Sequence, residues 1–171
     1  MHNVFSMTNL GLLKQFIRLE IEKYDAGNQF NQSNYALDLL LKFKMAECKA
    51  SKCPFILGVK LGDFGSSPLV DNSLYRNLVR ILLYLTHFRR DLDYALGVVA
   101  KYINEPHEIH WKDAKRILHY VQETKHFGIH CAASSPLELV GFTDSDWDRD
   151  STNRNSTSCY VIMLAHGPIF M

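Results

Sequence analysis

No apolar run among the 171 residues is long enough to span a bilayer, and the N-terminus has neither the basic start nor the apolar stretch of a secretory signal. The expectation is an intracellular protein, cytoplasmic or nuclear, without a membrane partner. Charge of one sign is also missing. A formal net charge of +1 creates no global pull toward polyanions, so any nucleic-acid binding must come from a local patch. The four cysteines, Cys48, Cys53, Cys131 and Cys159, lack the paired spacing of a zinc ribbon. They read as reduced, mostly buried thiols rather than a disulfide framework. With 47% apolar residues, the chain can bury one core, or one and a small part of another.

Periodicity organises the rest. Ile17, Leu19 and Ile21 alternate with Arg18, Glu20 and Glu22, which predicts a strand with one face on a core. Turn chemistry at Asp25-Ala26-Gly27-Asn28 predicts a hairpin whose second arm includes Gln29-Phe30-Asn31. Ser33 stands where a helix N-cap belongs, ahead of Tyr35, Leu39, Leu40 and Phe43, and that helix should stop near Lys44-Met45. Residues 48–70, punctuated by Pro54, Gly58, Gly62, Gly65 and Pro68, read as a loop long enough to be a linker or a functional segment.

Three helices should follow. The first runs from about Ser73 to Thr86, with Leu74, Leu78, Val79, Leu82 and Leu85 on its inner face. In the second, Leu92, Ala95, Leu96, Val99, Tyr102 and Ile103 form an amphipathic stripe, broken at Asn104-Glu105-Pro106. The last turns Trp111, Ala114, Ile117, Leu118 and Val121 inward. After Gly128 the pattern changes to strands, at Leu137 to Thr143 and Ser158 to Leu164, around a polar loop from Asp146 to Thr157. Helices first and strands later give an α+β chain with a unit boundary near residues 131–136.

Several segments can carry chemistry. Lys112, Lys115, Arg116 and His119 make the best basic patch, suited to phosphates or equally to solvent. No exposed aromatics interleave with it, so base stacking is not indicated. Asp144, Asp146, Asp148 and Asp150 begin like a calcium-binding EF-hand loop. The pattern fails at Arg149, where the turn needs glycine, and at Asn155, where a bidentate glutamate belongs. His107 and His110 are three apart rather than the four of a helical zinc motif. Helix capping and surface contact account for them better.

Five collinear segments resemble the copia-type retrotransposon Pol polyproteins, especially those of plants. Phe5-Ser6-Met7-Thr8-Asn9-Leu10-Gly11 followed by Phe16-Ile17-Arg18-Leu19-Glu20-Ile21 is similar to the family's F-x-M-x-D-L-G and F-L-G-I-E-I stretches. Tyr35 through Met45 resembles an opening thumb helix. Tyr75-Arg76-Asn77-Leu78-Val79 with Leu83-Tyr84-Leu85-Thr86 resembles Y-R-S-L-V-G-S-L-x-Y-L-T. Pro106-His107-Glu108-Ile109-His110-Trp111-Lys112, continuing to Leu118, is the most specific match. Leu139-Val140-Gly141-Phe142-Thr143-Asp144-Ser145-Asp146-Trp147 looks like the first RNase H strand, extended by Arg154, Ser156-Thr157-Ser158 and Tyr160-Val161.

The resemblance implies a reverse-transcriptase palm-end and primer-grip hairpin with a first thumb helix over 1–47, and a linker over 48–70. It implies a helical thumb and connection over 71–133, and the N-terminal strands of an incomplete RNase H-like antiparallel sheet over 134–171. Primer-template RNA or DNA and the rest of the Pol polyprotein are the implied partners. The family's polymerase carboxylates, in a Y-V-D-D turn and an earlier aspartate, have no counterpart here. Asp144 matches the first RNase H carboxylate and Asp146 follows it; the remaining ligands have no counterpart before Met171. The chain is therefore expected to be a vestigial, non-enzymatic fragment without a cofactor of its own, although the intact parent uses Mg²⁺. Alternatives are a nucleic-acid-binding module, or an effector-like protein co-opted for protein interaction.

Departures from the family pattern fall on its glycines. Arg18, Arg80, Glu123 and Cys159 replace glycine, and Arg90 replaces a proline. Where such a glycine has positive φ or lies close to another backbone, a side chain costs about 1–3 kcal/mol. The expectation is a decayed copy.

Overall fold

The computed structural model describes residues 11, 13–56, 65–133, 136–146, 157–164 and 167–170. Strands β1 (Gln15–Phe16), β2 (Leu19–Tyr24) and β3 (Gly27–Asn31) precede helix α1 (Ser33–Lys42). Helices α2 (Asn72–Leu85), α3 (Asp93–Ala100) and α4 (Glu108–Glu123) follow, with a 3₁₀ turn at Arg90–Leu92. Strands β4 (Gly128–Ala132), β5 (Leu139–Asp146), β6 (Thr157–Leu164) and β7 (Gly167–Phe170) complete the described elements. The architecture is α+β with two antiparallel sheets, ordered β1-β2-β3-β4 and β5-β6-β7.

The helices enclose one core. Leu39 and Leu40 of α1, Leu78, Val79, Leu82 and Leu85 of α2, Ala95, Leu96 and Val99 of α3, and Ala114, Ile117, Leu118 and Val121 of α4 are all buried. These are the stripes that helical periodicity predicts, except at Leu74, which lies in the first turn of α2 and is exposed rather than turned inward. Each fully buried aliphatic side chain contributes about 1.5–3 kcal/mol. Tyr75 is buried among them and donates its hydroxyl to the Val99 carbonyl at 2.7 Å; burial pushes its phenol well above the usual tyrosine range.

Local chemistry sets the helix ends. Asp71 caps α2, its Oδ1 accepting from the Ser73 and Leu74 N–H groups at 2.7 and 3.4 Å. The expected cap at Ser33 is displaced. Ser33 is the first helical residue, and Asn31 Oδ1 accepts from its N–H and hydroxyl at 3.2 and 2.9 Å. At the other end of α1, Met45 N–H reaches the Leu40 carbonyl at 2.7 Å and Lys44 N–H reaches Leu41 at 3.0 Å. This is a Schellman closure with Lys44, at φ +55°, where glycine usually sits. Helix α3 is shorter than its stripe, ending at Ala100, so Tyr102 and Ile103 pack against the core from the following turn.

The predicted strand from Ile17 is also corrected. Phe16 pairs with Leu19, making Ile17 and Arg18 the central residues of a two-residue turn, with φ of +44° and +62°. Both values lie in the region that Asn-Gly satisfies in a hairpin. Arg18, one of the glycine replacements, therefore does occupy a left-handed position. It is offset by an ion pair to Asp38 at 3.0 Å and by stacking over the Tyr35 ring at 5.2 Å. Ile17 has no such compensation: its side chain is exposed, and Tyr84 donates only to its carbonyl, at 2.5 Å. Ile17→Asn is expected to raise stability by about 1 kcal/mol, read as a higher urea midpoint at unchanged slope.

The other replacements differ. Arg80 is an exposed residue inside α2, and Glu123 is the exposed last residue of α4, so neither side chain meets a crowded backbone. Arg90 opens the 3₁₀ turn and pairs with Asp93 at 3.3 Å. Cys159 lies opposite Asp144 in the β5–β6 ladder. Of these replacements, Arg18 alone has a positive φ among the described residues. The thiols are also less buried than expected: Cys48 and Cys131 are half-buried and Cys53 is exposed.

Strand β4 was not expected. It pairs with β3 from Gly27–Ala132 to Asn31–Gly128, closing the first sheet after the helices. Strand β7 abuts it, since a β-carbon added at Gly167 would lie 3.2 Å from Cys131 Sγ. The second sheet carries exposed apolar side chains at Leu139 and Phe142. The Phe5–Leu10 segment, Trp147, Asp148, Asp150, Arg154 and Ser156 lie outside the described residues.

Candidate nucleic-acid interface

Helix α4 presents two faces because its buried residues recur at helical spacing. Opposite Ala114, Ile117, Leu118 and Val121 stand Lys112, Lys115, Arg116 and His119. All four line one groove of about 510 Å³, so the structure brings the expected basic residues together. The opposite wall comes from the segment after α1, with Lys49 and Ser51.

Two hydrogen bonds hold that wall. His119 Nδ1 lies 2.6 Å from the Lys49 carbonyl, and Ser51 N–H donates to the His119 carbonyl at 3.0 Å. A carbonyl can only accept, so the proton of His119 belongs on Nδ1. His119 therefore acts first as a tether. Lys49 carries a cation that the sequence pattern missed, because it is far from α4 in the chain and belongs to no periodic element.

Among the described residues, no carboxylate lies within ion-pair distance of Lys49, Lys115 or Arg116. Lys112 has one exposed partner, Glu108, at 3.3 Å, a kind of pair worth little in solvent. The Lys115 ammonium sits 5.1 Å from the Trp111 ring centre. Trp111 is half-buried, tilted against Tyr75 at 6.4 Å, so it supports the core rim rather than offering a free stacking face. Below the groove, burial raises the Asp113 carboxyl above the usual range, against the lowering pull of Arg116 and His110.

The histidine pair is a cap. His110 Nδ1 accepts from the His107 backbone N–H at 2.9 Å, a capping-box contact at the start of α4. His107 Nδ1 lies 2.6 Å from the Ser67 carbonyl, stitching the preceding loop to the helix. The expected surface contact does not hold for His110, which is fully buried and stacked on Tyr102 at 3.9 Å.

Asp144 is exposed on β5 opposite Cys159, and Asp146 lies two residues on, opposite Thr157. Among the described residues, no three His, Cys, Asp or Glu side chains gather as a metal site. The donors present on β5 do not by themselves make the octahedral oxygen shell that Mg²⁺ demands.

Comparison with known proteins points in one direction. The chain is 33% identical over 96% of its length to the Pol polyprotein of transposon RE2 of Arabidopsis thaliana, of which it spans 11%. It is 31% identical over 95% of its length to an uncharacterised mitochondrial protein of the same plant, covering 67% of that protein. A secreted RxLR effector protein of Plasmopara viticola is 36% identical over 97 residues, 56% of this chain and 68% of the effector. No family model matches the chain, and no solved structure matches it. No described helix is long and apolar enough to cross a membrane.

Proposed function

The chain belongs to the copia-type retrotransposon Pol polyproteins, and from that premise we propose that it is their nucleic-acid-positioning segment between polymerase and RNase H chemistry. In this reading β2 and β3 are the primer-grip hairpin, the four helices are thumb and connection, and β5–β7 open the RNase H sheet. The basic face of α4 holds primer-template phosphates. The observation that carries the reading is the gathering of Lys112, Lys115, Arg116 and His119 along one groove of a chain whose net charge is only +1. Cations gathered in this way repel one another unless an anion lies between them.

No bond chemistry is assigned to these residues alone. Phosphodiester formation and RNA cleavage both use two metal ions about 3.5–4 Å apart, each needing several carboxylate oxygens. The sequence contains no adjacent pair of aspartates, and Asp144 with Asp146 forms at most part of such a set. In the complete polyprotein those two would join further carboxylates around Mg²⁺.

Duplex binding by the chain should weaken with salt along a log–log slope of about −3, as for three neutralised phosphates. Lys112→Ala/Lys115→Ala/Arg116→Ala should remove most of that slope. A salt-independent response of the unaltered chain removes the reading. Incubation with an RNA–DNA hybrid and Mg²⁺ should yield no cleavage. Cleavage abolished by Asp144→Asn would overturn the non-enzymatic assignment.

A second reading draws on the relative that bears the name of a secreted effector: a host-directed interaction module. Affinity capture on the full chain, with the triple variant as control, would have to recover one stoichiometric protein partner.

A further inference from the structure

We propose that the groove between Lys49–Ser51 and α4 is a two-sided seat for successive phosphates of one nucleic-acid strand, with Lys49 supplying a contact that α4 cannot. This rests on the phosphate-contact reading of α4 and adds the opposite wall, the ligand's orientation and its lack of sequence preference.

The geometry carries the orientation. From Lys112 to His119 is seven residues, about 10 Å along the helix axis. That matches roughly three phosphates at about 3.4 Å of duplex axis each. The strand would run along α4, with Lys112, Lys115 and Arg116 on one side and Lys49 on the other. The groove is about 510 Å³, larger than one phosphate requires and within the range of about 300–1,000 Å³ that holds a whole small ligand.

Electrostatics carries the ligand's sign. No lining residue is acidic, and Lys49, Lys115 and Arg116 have no ion-pair partner among the described residues. Yet the Lys49 segment is fastened to the cationic helix by both backbone and side chain of His119, at 3.0 and 2.6 Å. Folding thus brings a fourth cation to three others. Glu108 beside Lys112 and Asp113 near Arg116 offset part of that repulsion from outside the groove; no acidic residue lines it, and a polyanion would offset the rest.

The lining also sets specificity. Trp111 lies beneath the Lys115 ammonium and against Tyr75, so no open aromatic face invites a base. Point charges on lysines recognise phosphate oxygens without reading base edges. The seat should therefore bind any sequence alike.

The test is a salt titration of a fluorescent 16-base-pair duplex against the full chain, Lys49→Ala and Lys52→Ala. Lys52 is exposed and outside the groove. Lys49→Ala should weaken binding several-fold at low salt and make the log–log slope shallower by about 1, equally on two unrelated sequences. Lys52→Ala should match the unaltered chain. If the α4 triple variant loses the slope while Lys49→Ala keeps it, the two-sided seat is overturned and the α4 reading stands. If the unaltered chain shows no salt-dependent binding, both fail. Loss on one duplex sequence but not the other would mean base readout and would also overturn the proposal. So would displacement of the duplex by low-millimolar inorganic phosphate at constant ionic strength, which would make the groove a small-anion site.

Discussion

Replacing Arg89 by Met is expected to destabilise the fold by about 2 kcal/mol, the scale of removing a buried guanidinium's charge-assisted hydrogen bonds when its carboxylate partner is itself 36% exposed. Arg89 is only 3% exposed, yet it is charged. Its Nε and Nη2 reach both Asp91 oxygens at 3.0 and 2.7 Å, a bidentate pair. Nη1 donates to the Thr124 carbonyl at 2.7 Å and Nη2 to the Thr124 hydroxyl at 2.6 Å. Tyr120 and Phe127 lie within 5.7 and 5.4 Å of the guanidinium carbon. One side chain thus joins the start of the 3₁₀ turn to the C-terminal end of α4. Met keeps much of the volume but removes the donor of the Thr124 carbonyl and the charged partner of Asp91, which keeps only its hydrogen bonds from Tyr120 and the backbone.

The same pair predicts an acid limb. Burial alone would raise the Asp91 carboxyl, but the hydrogen bonds and charge of Arg89, with a hydrogen bond from Tyr120, outweigh it and hold it below the usual carboxylate range. Because the folded value is depressed, the stabilisation is fully present above the unfolded value of about 3.9 and fades as pH falls through the lower folded one. Urea midpoints of the unaltered chain and Arg89→Met should therefore converge as pH drops below about 4. A constant gap from pH 7 to pH 2 would show that the ion pair contributes nothing and that packing alone was lost.

Gly128→Ala is expected to cost on the order of 3 kcal/mol, whereas Gly97→Ala should add about 1 kcal/mol. At Gly128 an added β-carbon would strike the Phe30 carbonyl and lie 2.9 Å from Asn31 Cβ, so β3 and β4 could not keep their pairing. Gly27, at φ +149°, meets the Cys131 carbonyl in the same way at the other end of the ladder. Gly97 lies inside α3 with nothing within 4 Å of the added atom, so alanine there removes only backbone freedom. Thermal denaturation of the two variants in parallel checks both signs at once. If Gly128→Ala melts with the unaltered chain, the close approach of β3 and β4 is not a feature of the fold.

The sequence by itself determined the helical core, the hairpin and the family. The stripes of α2 and α4 repeat at a local period, and the whole chemistry of such a stripe lies within one turn of each residue. The hairpin was legible for the same reason: turn residues at 25–28 sit between two short runs. The basic row on α4 was visible because helical spacing alone lines it up. The five collinear motifs were visible because order along the chain is what a sequence records.

What the tertiary structure decided lies across long separations. Gly27 pairs with Ala132, and no local pattern in the Gly128–Ala132 segment says that β3 is its partner. Ile17 and Arg18 alternate like strand residues, but the register of Phe16 with Leu19 makes them a turn. Arg89 looks like a surface residue in a run of charges until Asp91 and Thr124 converge on it. Lys49 is a loop lysine until His119 draws it to the edge of α4. Periodicity reports which face of an element is apolar; only the closed chain decides what that face, or the charged one opposite it, will meet.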